Sequence, residues 1–198
     1  MAARLISVSV AVLLALCAAY PAFAGNGAIG VYSDPDCGNC SVAVSVGVPF
    51  TLYVNATLGG GTADGIVSAA FAIDGMPPNW LIVVTANPLA STVLGNPFQG
   101  GALIGFTSCL TSVQGCDNLY TVWVLPTATP IDVRLQVTRF RTCPAPHELY
   151  LAPLLYTCDA PAFTGYWVGG GAAILNGPPC TVATMPRTWS YVKHLYGG

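Results

Sequence analysis

Apolar and polar residues alternate with a period of two along much of this chain. Ile131, Val133, Leu135 and Val137 are interleaved with Asp132, Arg134, Gln136 and Thr138. Phe50, Leu52 and Val54 alternate with Thr51, Tyr53 and Asn55, and Val42, Val44 and Val46 with Ala43 and Ser45. Successive side chains of a strand point to opposite faces, so each run offers one apolar face to a core. Further strand candidates cover 28–32, 66–73, 80–86, 102–107, 119–125, 150–156 and 165–175. Between them stand GGGTADG, GMPPN, NPLAS, GNPFQGG, PTATP and CPAP, clusters of residues that favour turns. About ten strands at this spacing predict an all-β chain folded as a sandwich or barrel. No segment beyond residue 24 sustains an apolar helical period over three turns with matching caps, and no fixed-period repeat is present.

The N-terminal stretch breaks this pattern. Arg4 precedes an apolar run from Leu5 to about Ala19, and Ala22-Phe23-Ala24 after Pro21 forms a small-x-small cleavage site. Residues 1–24 therefore read as a signal peptide, with Gly25 as the mature N-terminus. The run is short of the roughly 20 residues of a membrane span. Cys17 suggests a lipidation site, but Leu16 occupies the place where a small residue is needed. Beyond residue 25 no 18 continuous apolar residues occur, so the mature chain is expected to be secreted, soluble and without a membrane span. The periplasm, the medium and the cell surface of a bacterium all fit.

Composition narrows the functional classes. The 174 residues after cleavage, of 198 in all, suffice for one domain, 25–198, with 142–198 a candidate C-terminal extension packed on it. Charged residues make up 7% of the chain, against about 25% in an average soluble protein. Loss of Arg4 leaves five of the six basic residues against eight acidic ones. That balance gives no electrostatic case for a nucleic-acid partner.

Seven cysteines follow the leader: Cys37, Cys40, Cys109, Cys116, Cys143, Cys158 and Cys180. In an oxidising compartment they are disulfide candidates, and the domain is expected to be stapled by them. Cys109 and Cys116 flank the turn-like LTSVQG and could close it locally. Cys158 and Cys180 bracket a returning strand pair, which leaves Cys143 for Cys37 or Cys40. One thiol would then stay free or join another chain. A zinc site at Cys37-x-x-Cys40 needs a second paired ligand set, and the chain has only the isolated His147 and His194. A redox dithiol wants a helix N-terminus, and this pair falls between strands. No metal or cofactor is called for.

Other chemistry is sparse. Asp34 and Asp36 have the spacing of a calcium loop, but Gly38 and Asn39 reverse the order that follows, and a solvated turn fits better. Neither Gly-x-Ser-x-Gly nor His-Glu-x-x-His occurs. No catalytic residue is assigned. Glycine-rich GGGTADG and VGGGAAILNG lack a phosphate-binding spacing and suit turns and bends. Asn39-Cys40-Ser41 and Asn55-Ala56-Thr57 are glycosylation sequons in a host that uses them. Trp80, Trp123, Tyr166, Trp167, Trp189, Tyr191 and Tyr196 could include a platform for sugar rings. Trp123 alternates with Leu119, Thr121 and Leu125 and is expected inside. Trp80, at the end of the MPPN loop, is the candidate for exposure and ligand contact. Arg134, Arg139 and Arg141 fit a solvated strand face better than an anion site.

The segment GIVSAAFAIDGMPPNWLIVVTANP, with GGALIGFTSC and NLYTVWVLPT after it, resembles the middle of cohesin-like, immunoglobulin-like sandwiches of secreted bacterial proteins. CDAPAFTGYWVGGGAAILNGPPC is similar to the ends of uncharacterised secreted proteins with that core. The resemblance spans about residues 28–180. It implies a two-sheet antiparallel sandwich, Ig-like or jelly-roll, in a binding or scaffold role; no binding residue is carried over. The cysteines depart from the cohesin pattern, and no dockerin-type calcium repeat is visible. The expected function is non-catalytic adhesion, scaffolding or ligand binding, with an unknown protein or glycan partner. Two alternatives stay open. One is a fibre or surface-assembly subunit built by homo-assembly. The other is a carbohydrate-active hydrolase, which needs a carboxylate pair about 5–9.5 Å apart in a cleft.

Overall fold

The computed structural model describes residues 25–111, 115–128, 132–141, 152–158 and 164–177. Residues 1–24, Cys143, Cys180, His147, Trp189 and the C-terminal residues lie outside them. Thirteen strands occur among the described residues: β1 (Gly27–Tyr32), β2 (Ser41–Val42), β3 (Phe50–Leu58), β4 (Ile66–Asp74), β5 (Leu81–Ala86), β6 (Ala90–Asn96), β7 (Gly101–Leu110), β8 (Cys116–Leu125), β9 (Val133–Thr138), β10 (Leu154–Thr157), β11 (Gly165–Trp167), β12 (Gly169–Gly170) and β13 (Ala172–Leu175). No helix among the described residues is long and apolar enough to cross a membrane.

The strands form two sheets. The first runs β12-β1-β3-β8-β5. In the second, β6 pairs with β7 and β7 with β4; the far edge of β4 pairs first with β10 and then with β9, which leads to β13 and β2. Antiparallel ladders dominate, and only the short contacts β1–β12 and β13–β2 are parallel. The period of two in the sequence becomes the core. Ile29, Leu52, Val54, Val122 and Val124 from the first sheet meet Ile66, Phe71, Ile104, Leu135 and Leu175 from the second. Each large apolar side chain buried in this way contributes about 1.5–3 kcal/mol. Phe71 and Tyr120 lock the layers edge to face, with ring centroids 5.9 Å apart.

Three regions differ from expectation. Residues 165–175, read as one strand, divide into β11, β12 and β13, with β12 in the first sheet and the other two in the second. Residues 90–96, read as parts of two turns, form β6; Asn87 closes the turn before it, with its Oδ1 accepting from Leu89 N at 2.8 Å. The 42–46 run shortens to the two-residue β2. Val44 is buried, but its N–H and C=O pair with the Asn176 amide at 2.6 and 2.7 Å instead of a strand. Gly47 at φ +73° then turns the chain. Glycine is needed at Gly65 (φ +115°), where a Cβ would lie 2.5 Å from Cys109 Sγ.

The disulfides also depart from local pairing. Cys116 joins Cys37, and Cys109 joins Cys158. Cys109 and Cys116 sit on β7 and β8, which belong to different sheets, so the two do not face each other across a hairpin. Each instead bonds on its own side. These bonds exclude the expected Cys109–Cys116, Cys158–Cys180 and Cys37–Cys143 pairs. Cys40 is disulfide-bonded too, to a partner outside the described residues.

Candidate functional site

The outer face of the first sheet divides into a covered end and an open end. At the covered end, the loop 33–40 lies over β3 and β8, tied down by Cys37–Cys116. Asp34 shapes this loop from within, since its Oδ1 accepts from Asp36 N at 3.0 Å and Gly38 N at 2.9 Å. The carboxylate thus serves its own turn, and no group of three or more potential metal ligands occurs among the described residues. Beneath the loop, Asn55 is fully enclosed. Its Nδ2 donates to Pro35 O at 2.9 Å, while its Oδ1 accepts from Asn118 Nδ2 at 2.9 Å. The Asn55-Ala56-Thr57 sequon is therefore closed to modification in the folded chain. Tyr32 packs against Cys37 and Cys40. Burial, and secondarily the Asp34 carboxylate, raise its pKa.

At the open end, the register builds a contiguous apolar patch. Val83 on β5 lies opposite Trp123 on β8, and Trp123 opposite Thr51 on β3. Leu81 faces Leu125 in the next row; Thr85, Thr121 and Tyr53 line the row on the other side. Directly opposed residues share a face and touch. Leu81 is 58% exposed, Val83 55% and Trp123 41%. Val46 and Val48, also exposed, flank this end, where Gly47 N donates to Pro126 O at 3.0 Å. No charged side chain belongs to these rows.

The positions of two tryptophans are thus the reverse of those expected. Trp80 is buried, its ring edge-on to Phe50 at 6.2 Å, because Trp80 N closes a turn onto Pro77 O and swings the ring under the sheet. Trp123 points outward. A bulge explains the inversion: Val54 pairs with Tyr120 but Asn55 with Asn118, which leaves Leu119 as an extra residue. One inserted residue reverses the alternation beyond it. Leu119, Tyr120, Val122 and Val124 all face the core, and Trp123 cannot.

The remaining polar groups are dispersed. Arg141 pairs with Asp74, which also accepts from Thr138 Oγ1 at 3.0 Å; Arg134 and Arg139 are exposed. Asp117 and Tyr120 carry buried oxygens with no hydrogen-bond partner among the described residues. Desolvation raises the Asp117 pKa and lifts that of Tyr120 to about 12.

Comparison with known proteins identifies the build of the sandwich. A cohesin module from a family 33 glycoside hydrolase of Clostridium perfringens superposes with a TM-score of 0.50 at 16% identity, over 77% of this chain and 95% of that one. A non-cellulosomal cohesin from the archaeon Archaeoglobus fulgidus gives 0.46 at 15% identity, over 76% and 91%. The sixth cohesin of Acetivibrio cellulolyticus scaffoldin B, solved in complex with a Cel5 dockerin, gives 0.45 at 12% identity, over 77% and 99%. The chain has a cohesin-like β-sandwich fold. No protein-family model and no curated protein matches it.

Proposed function

We propose that this chain is a non-catalytic extracellular binding module that takes a protein partner on the open end of its first sheet, around Trp123. The observation that carries this reading is the uncharged patch of Leu81, Val83, Trp123 and Leu125, with exposed aliphatic side chains surrounding an exposed indole. Such a patch is unusual on a monomer and marks an interaction surface, and tryptophan is the residue type most enriched in interface hot spots. A protein suits it better than a glycan. Hydroxyls of Thr51, Thr85, Thr121 and Tyr53 stand beside the ring or in the adjoining row, but these rows hold no carboxylate or amide to fix sugar hydroxyls, and aliphatic side chains flank Trp123 on β5. The leader-like N-terminus and the disulfides support secretion. The cohesin-like fold lends a precedent for modular use, since the Clostridium perfringens neighbour is a module of a glycoside hydrolase.

The test is affinity capture by the immobilised, oxidised protein from its host's extracellular proteins, alongside a panel of insoluble glycans. A defined protein retained by the native chain and lost with Trp123→Ser supports the proposal. Retention on a glycan with loss in the same variant transfers the surface to a sugar ligand. Turnover of a glycan by the purified chain overturns the non-catalytic reading.

A further inference from the structure

We infer that β5 is an edge through which two copies of this chain pair antiparallel across a two-fold axis, with Val83 on the axis. The inference concerns the backbone edge of β5 rather than the outer face, although Leu81 and Val83 also belong to the patch proposed above. Among the described residues β5 pairs with β8 alone, at the end of the first sheet. An edge strand presents a row of unpaired N–H and C=O groups, a template for another strand. Natural edges are guarded by charges, prolines or bulges. None of these guards is present along Leu81–Ala86: the six residues read LIVVTA, and their pairing with β8 is regular throughout.

The contrast with β6, the edge of the other sheet, is informative. That strand shifts register between Ala90 and Thr92, and Gly95 sits at φ +81°. Both features bend an edge away from further pairing. The two edges follow each other in the chain, yet only β6 carries these distortions.

Charge favours a second copy as the occupant. Residues 75–116 contain no Asp, Glu, Lys or Arg, in a chain whose net charge is −2. Two copies that meet through β5 bring together the long stretch that adds no like-charge repulsion, and a charged strand would find no counterpart there. The outward pattern is also self-complementary. Opposed residues of an antiparallel pair share a face, so outward residues meet only when their numbers sum to an even value. Centring on Val83 sets Val83 against its own copy and Leu81 against the second copy's Thr85. Centring on Val84 would leave Leu81 outside the pair. In the favoured register the two five-stranded sheets become one continuous sheet, and the two Trp123 faces lie side by side.

Sedimentation velocity of the oxidised chain from about 1 to about 200 µM tests this, a range that brackets weak isologous pairing. The expected result is a reversible monomer–dimer equilibrium. Val83 is 55% exposed, so Val83→Lys and Val83→Glu should leave the far-ultraviolet circular dichroism unchanged. Each variant alone should dissociate at least tenfold more readily, because identical charges meet on the axis. An equimolar mixture should recover a heterodimer through the Lys–Glu contact. A native chain that stays monomeric overturns the inference, as does an open-ended series of larger species. So do Val83 variants that dimerise like the native chain. Dimerisation lost with Trp123→Ser would move the contact to the face and overturn edge pairing whatever Val83→Lys does, because Val83 belongs to that face as well; partner capture by the native chain reports on the face.

Discussion

Tyr120 is enclosed against Phe71 with its hydroxyl unpartnered among the described residues. A buried hydroxyl without a hydrogen bond keeps its desolvation cost, about 1–3 kcal/mol. Tyr120→Phe is therefore expected to be neutral or stabilising in urea unfolding, whereas Phe71→Ala should cost about 3–5 kcal/mol. With a folded pKa of about 12 against an ordinary 10.0, Tyr120 holds its proton better in the native state. The folded chain then binds more protons above pH 10, so this residue's contribution falls as pH rises through that range. Asp117 has the same sign lower on the scale, since burial raises its carboxyl above the ordinary 3.8. Its charged form is disfavoured in the fold, so stability from this group is greatest in acid and declines once the carboxyl ionises. Asp117→Asn should raise the midpoint of thermal unfolding at pH 7 by more than it does at pH 3. The two tryptophans give a sharper contrast. Trp80→Ala removes a core ring and should cost about 3–5 kcal/mol, while Trp123→Ala, at an exposed position, should stay within about 1 kcal/mol.

Strands were legible where alternation was long and uninterrupted. The candidates at 66–73 and 102–107 reappear as β4 and β7, and the alternating run 131–138 as β9 from Val133 on, with Leu135 and Val137 facing the core as expected. Legibility failed where one residue changed the geometry. The bulge at Leu119 reversed the facing of Trp123, and no local feature of NLYTVWVL announces an inserted residue. The strand β6 hid between two proline-containing turns, because STVLG is too short to outweigh them. The disulfides failed for a different reason: sequence proximity suggested Cys109–Cys116, but the sheets to which β7 and β8 belong separate them. Bonds that close 79- and 49-residue separations restrict the unfolded chain strongly. Chain-entropy reasoning gives each about 4 kcal/mol. Replacing Cys37 and Cys116 together by serine should lower stability by about 2–5 kcal/mol. It should also release the 33–40 loop, read as faster amide exchange at Gly38 and Asn39. The double replacement of Cys109 and Cys158 should leave those amides unchanged.

Charge is unevenly spread through the molecule, and the candidate site follows from that. Residues 75–116 carry none of the 14 charged side chains, and they supply the β5 edge and one side of the patch. The Cys37 loop closes the polar end of the same face, so the exposed surface is confined to the rows of Leu81, Val83 and Trp123. Composition hinted at an uncharged surface, but the location of the patch needed the register of β3, β5 and β8. Hydroxyl-radical footprinting of the oxidised chain, at a concentration low enough to keep it monomeric, tests this surface most directly. The predicted result is rapid oxidation of Trp123, with Leu81 also modified and Trp80 protected. Protection of Trp123 together with ready oxidation of Trp80 would contradict the account.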